Sequence, residues 1–130
     1  MNNRTIKFRV WNKEHKYFVS PDAYGYLAYA LHCNGELIHL SGQYPIKVVN
    51  QDSFVIQRFT GLKDKNGREI YEGDIIRITI NCPQDCLEFI EIVTWNEQKM
   101  AFTNKIGKLF SEFISKYSEL EVIGNIFENP

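Results

Sequence analysis

The most regular pattern of apolar and polar positions lies at Ile75-Ile76-Arg77-Ile78-Thr79-Ile80. β-Branched residues fill this run, and Ile76, Ile78 and Ile80 share one face at period two. That alternation predicts a half-buried strand. Two turns lead into it. In Asp64-Lys65-Asn66-Gly67 the Asp64 carboxylate can accept backbone N–H groups just downstream, while Asn66 and Gly67 tolerate positive φ at least cost. Glu72-Gly73-Asp74 predicts a second turn, with Ile70 and Tyr71 between the two. Asp64, Asn66, Gly67, Gly73 and Asp74 are therefore assigned to turn-making. Two closely spaced turns followed by a long strand suggest a small barrel. A Gly-Asp pair before a strand of branched residues compares with SH3-like barrels, an analogy of fold that carries no function.

The rest of the chain extends this picture. Arg4 to Ser20 predicts a hairpin. Ile6, Phe8 and Val10 alternate with Lys7, Arg9 and Trp11, a polar turn runs from Asn12 to Lys16, and Tyr17-Phe18-Val19 returns. Residues 22–50 are less regular. Tyr24 to His32 suits either a short helix or a strand. Asn34-Gly35 is a strong hairpin signal, which predicts a strand over Glu36–Leu40. Ser41-Gly42-Gln43 then breaks the pattern, Ile46–Val49 is a short strand, and Asn50-Gln51-Asp52 a turn. Ser53–Phe59 predicts a strand leading into the central turn. Beyond the loop at Asn81–Cys86, Leu87–Trp95 predicts one strand that pairs with Met100–Thr103. Leu109, Phe110, Phe113, Ile114 and Tyr117 recur at helical spacing, so residues 108–118 predict a helix. Glu121–Phe127 predicts a last strand. The expected fold is mainly β in a single domain. It has an N-terminal hairpin (4–20), a variable middle (22–50) and an SH3-like barrel core (53–130) carrying one short C-terminal helix.

Composition narrows the function classes. A chain of 130 residues can bury roughly two-thirds of its unfolded surface and needs no disulfide or metal to fold. Its apolar content of 44% and aromatic content of 14% fit a packed core. The net charge of −1 excludes a globally basic nucleic-acid binder but leaves a local basic face open. No run reaches the roughly 20 apolar residues of a membrane-spanning helix, and no secretory leader is read at the start. Three cysteines, Cys33, Cys82 and Cys86, are expected as free thiols, two in loops and one in the core, in a reducing cytoplasm.

Three blocks carry a family resemblance. Phe59-Thr60-Gly61-Leu62-Lys63-Asp64-Lys65-Asn66-Gly67 followed by Ile70-Tyr71-Glu72-Gly73-Asp74-Ile75-Ile76 resembles the signature of the YopX family of phage and prophage proteins. The opening Arg4 to Trp11 and the ending Glu121 to Pro130 resemble that family's start and close. The blocks stand in the right order and span the chain. The resemblance implies a small, β-rich protein of phage origin, cytoplasmic in a bacterial host cell, with no established activity.

Each candidate chemistry has a plain structural alternative. Cys82 and Cys86 with the distant His32-Cys33 pair lack the two close ligand pairs of a structural zinc site. Asp64, Glu69, Glu72 and Asp74 supply too few oxygens for a calcium loop, and turn chemistry accounts for Asp64 and Asp74. His15, His32 and His39 do not sit in a context that marks a nucleophile. No enzyme activity, metal or cofactor is expected. Lys63, Lys65 and Arg68 around the central turn, with Lys7 and Arg9 on the first hairpin, are the candidate nucleic-acid contacts. Mixed acids and bases in both turns point instead to a solvated surface. The expected function is a non-catalytic accessory protein acting through protein–protein interaction, an unknown partner or a homo-oligomer. A nucleic-acid-binding module is the alternative.

Overall fold

A computed structural model describes residues 6–19, 28–41, 44–47, 51–81, 86–104, 107 and 118–128. The protein is mainly β: among the described residues it has twelve strands, and its helical content is a single 3-10 turn at Gln51–Ser53. Two compact units are formed, one of residues 9–56 and one of residues 1–8 with 57–130.

In the unit of residues 9–56, β1 (Phe8–Asn12) pairs with β2 (Tyr17–Phe18), and Trp11 lies opposite Phe18. The expected hairpin forms, but its alternation differs from the expectation. Val10 and Trp11 are both buried, whereas Ile6 is 85% exposed. Trp11 is held by the edge of the Phe18 ring, 4.8 Å away, and an indole gains more by that contact than strict alternation would allow. The Asn12 side chain accepts the N–H of His15 at 3.0 Å and fixes the turn. β3 (Ala28–Leu31), β4 (Leu37–Ser41) and β5 (Tyr44–Lys47) form an antiparallel meander. The described part of the ambiguous segment is thus strand, and Asn34-Gly35 makes the β3–β4 turn with Gly35 at φ 92°. Gln51 acts as a substitute strand neighbour for β4: its amide accepts from Leu37 N–H at 3.0 Å and donates to Leu37 O at 2.8 Å.

The other unit is built around β8 (Asp74–Asn81), which lies between β9 (Cys86–Ile92) and β12 (Ser118–Asn125). Ile76 and Ile78 are fully buried on its inner face, in one cluster with Ile70, Val93 and Val122. Burial of each such side chain stabilises by about 1.5–3 kcal/mol. β6 (Phe54–Lys63) and β7 (Glu69–Tyr71) pair at both ends, Phe59 with Tyr71 and Lys63 with Glu69, with a register shift between them where Gly61 adopts φ 90°.

Two further expectations change. Leu87–Trp95 is not one strand. Val93 is buried and bonds to the start of β8, its N–H to Asp74 O at 3.0 Å and its O from Gly73 N–H at 2.8 Å. Beyond that pin the chain leaves β9, and β10 (Thr94–Asn96) pairs with β11 (Ala101–Thr103). The last strand ends at Asn125 rather than Phe127, because the Asn125 side chain accepts the N–H groups of Phe127 and Glu128, each at 3.0 Å, and turns the chain. Of the helix expected over residues 108–118, all but Ser118 lie outside the described residues, and Ser118 opens β12.

Candidate functional site

Asp64 sits at the centre of the signature turn, and its carboxylate is buried. Oδ1 accepts the N–H groups of Asn66 at 2.9 Å and Arg68 at 2.8 Å. Oδ2 accepts the N–H of Val122 at 3.0 Å, across 58 residues of sequence. The next residue adds a backbone bond in the same direction, Lys65 N–H to Leu120 O at 2.8 Å. Burial alone would raise the Asp64 pKa, but the N–H donors of Val122, Arg68 and Asn66, with the Arg68 charge, hold it below its ordinary value. Charge-assisted bonds of this kind are about twice as strong as neutral ones. With three backbone N–H groups on its two oxygens, the carboxylate clamps the turn to β12.

Gly73 and Asp74 play the same role at the second turn. Asp74 Oδ2 accepts Tyr71 N–H at 2.8 Å. Gly73 has φ 87°, and a Cβ there would run into the side-chain amide of Gln57. Asn66 and Gly67 complete the first turn, with Gly67 at φ 81°.

The basic candidates differ in their surroundings. Lys7 Nζ donates to Glu69 Oε2 at 2.8 Å, and this carboxylate raises the lysine pKa. Lys65 Nζ lies 3.3 Å from Glu121 and 3.6 Å from Glu119, and Glu121 chiefly raises its pKa. Arg9 belongs to the other unit, where its guanidinium covers the Phe18 ring at 4.6 Å. Lys63 and Arg68 are exposed and form no ion pair with a described residue.

The thiols also stand apart. Cys33 is exposed in the β3–β4 turn, not in the core. Asn34-Gly35 brings the chain round at that point and leaves Cys33 outside. Its Sγ is 3.9 Å from His32 Nδ1, which also accepts Asn34 N–H at 3.2 Å. Cys86 is exposed at the start of β9, and Cys82 lies outside the described residues. Among the described residues no three metal-ligating side chains come together.

β9 is the surface that sequence reasoning passed over. Its register places Leu87 opposite the partly buried Ile80 and Phe89 opposite the fully buried Ile78, on the core-facing side of β8. Yet Leu87 is 50% exposed and Phe89 39%. Ile90, on the opposite face beside Arg77, is 55% exposed. Among the described residues no strand pairs with the outer edge of β9. An apolar edge strand is a template for strand addition. The signal was present in Leu87-Glu88-Phe89-Ile90-Glu91-Ile92, where apolar residues fall on both faces instead of alternating cleanly. On the outer face Arg77 bridges the sheet. Its Nε is 3.1 Å from Glu88 and its Nη1 3.8 Å from Glu121, while Nε lacks a well-aligned hydrogen bond, so the Glu88 contact is ionic.

Comparison with known proteins gives a family and a fold. The family model described as YopX protein matches residues 7–130. The crystal structure of protein EF1440 from Enterococcus faecalis is 24% identical at a TM-score of 0.62, covering 98% of this chain and 97% of that one. The crystal structure of the protein yopX from Bacillus subtilis is 21% identical at a TM-score of 0.55, with the same coverage of 98% and 97%. At these identities the two likenesses are of fold alone. No curated protein matches the chain.

Proposed function

Because the chain belongs to the YopX family, we propose that it is a phage- or prophage-derived accessory protein that works without catalysis, metal or cofactor in the cytoplasm of a bacterial host. It acts by protein–protein interaction, and its first partner is a second copy of itself. The same reading takes the strands from Gln57 onward as a small SH3-like barrel. The register shifts in β6 and β12 support this, since bulges bend strands toward closure.

One observation carries the interaction reading: β9 exposes Leu87, Phe89 and Ile90 along an edge with no strand partner among the described residues. Two copies joined antiparallel along β9 would form a continuous sheet. A two-fold axis at Phe89 sets the two Phe89 rings opposite each other, with Leu87 facing Glu91 of the second copy and Glu88 facing Ile90. An axis at Glu88 would oppose two carboxylates, which is unfavourable. The apolar register is therefore the one expected.

The test is light scattering on the purified protein and on the Phe89→Glu and Ile90→Lys variants. The expected result is an oligomer in the parent and a monomer in both variants, with unchanged circular dichroism. A parent that stays monomeric at high micromolar concentration would sink the proposal. Lys63 and Arg68 are exposed and form no ion pair with a described residue, so the nucleic-acid reading is tested beside it. A mass increase with oligonucleotides that fades as salt rises would favour that reading. Lys63, Lys65, Arg68, Lys7 and Arg9 would then be neutralised first.

A further inference from the structure

A groove of about 380 Å³ lies in the unit of residues 1–8 and 57–130, with Phe59, Trp95 and Phe102 in its walls and Ile6 and Met100 at its rim. Among the described residues its charged lining is Lys7 and Arg58. The Arg58 guanidinium lies 4.4 Å from the Trp95 ring centre and 5.8 Å from that of Phe102, and the two rings meet edge to face at 5.2 Å. Lys7 Nζ stands 5.8 Å from the Phe59 ring centre. Glu72 holds Arg58 from outside the groove: its Oε1 accepts the backbone N–H at 2.8 Å and lies 3.3 Å from Nε. Glu69 holds Lys7 in the same way. Each acid engages one donor of its cation, which leaves both terminal nitrogens of Arg58 and two N–H donors of Lys7 for a ligand.

Met100 gives a second, independent sign. It is 78% exposed and adopts φ 51° at the end of the β10–β11 turn. Glycine or asparagine would hold that backbone at less cost. Turn geometry therefore does not account for methionine, and its adaptable thioether suits a binding surface. Arginine, tryptophan, phenylalanine and methionine together are the composition of protein-docking patches.

We propose that this groove binds a short segment of a partner protein in which an aspartate or glutamate adjoins a large apolar side chain. The carboxylate is met by Arg58 and Lys7, and the apolar side chain by Met100, Phe102 and Ile6. Two cations, each already holding one carboxylate, neutralise too few phosphates for nucleic acid to be the occupant. The groove is separate from β9, and the proposal stands whether or not the protein self-associates.

The test is a positional library of heptapeptides assayed for binding to the parent protein and to the Arg58→Gln and Met100→Glu variants, with a single-stranded oligonucleotide as a parallel probe. Met100 is on the surface, so the second variant keeps the fold if the first does not. The expected result is enrichment of peptides pairing a carboxylate with a large apolar residue. Affinity should fall about tenfold or more in either variant, as expected for a charge-assisted or anchor contact. Peptides amidated at the acid should bind the parent equally weakly. No enrichment, enrichment that the variants leave unchanged, or saltable binding of the oligonucleotide alone would each overturn the proposal.

Discussion

The signature turn and strand β9 make opposite use of their residues. At the turn, Asp64 is charged and looks available for chemistry, yet three backbone N–H groups occupy it and the side chain is buried. On β9, Leu87 and Phe89 look like ordinary core residues, yet they stay in contact with solvent. At the turn the charged side chain spends its hydrogen bonds on the fold, while on β9 the apolar side chains are left uncovered. In this protein the charged motif holds the fold and the apolar strand is the open surface.

Mutation can break this contrast, most strongly at the turn. Asp64→Ala should cost about 3–5 kcal/mol, because it removes three charge-assisted bonds and leaves the Val122 N–H buried without a partner. Urea denaturation measures it, and a loss near zero would return Asp64 to the list of functional candidates. Gly73→Ala should cost about 3 kcal/mol, since alanine is strained at φ 87° and its Cβ would displace the buried Gln57 amide. The same denaturation series checks it.

A pH series sharpens the comparison at smaller amplitude. The folded pKa of Asp64 lies below its ordinary value of 3.8. Its contribution is therefore complete above that value and is lost as pH falls through it toward the lower folded value. The parent should lose stability in that acid window, and Asp64→Asn should flatten that part of the profile. An unchanged acid limb in the variant would mean another carboxylate governs it. Lys65→Ala marks the lower end: its ion pairs to Glu119 and Glu121 are exposed, so no shift in the denaturation midpoint is expected. Phe89→Glu should cost about 1 kcal/mol, because its ring is 39% exposed and lies opposite Ile78, while abolishing self-association, which separates surface from scaffold within one strand.

Much of this was legible in the residues. Asp64-Lys65-Asn66-Gly67 and Asn34-Gly35 announced their turns because their side chains act on adjacent backbone, a local effect. Ile76 and Ile78 announced the core because period two survives wherever one face is covered. The destination of the second Asp64 oxygen was not legible, since Val122 is 58 residues away and no local pattern encodes it. The split of Leu87–Trp95 was hidden for the same reason: Val93 is pinned by residues of another turn. The pairing of Lys65 with Glu119 and Glu121 depended on how β12 docks, so the partners of that charge could not be read from its neighbours in the chain. Arg58, Trp95 and Phe102 come together only through the β10–β11 hairpin, and 37 residues separate Arg58 from Trp95 in the chain.

The reach from Asp64 to Val122 also sets an order of events during synthesis. A ribosome adds about 5–20 residues per second, so the 58 residues between donor and acceptor take roughly 3–12 s to appear. Through that interval the nascent turn holds a carboxylate with one oxygen unspent, and β8 has a neighbour on one side at most. The isoleucines of β8 gain their second flank only when β12 arrives. β12 thus acts as the latch on a structure whose earlier strands have been waiting for it.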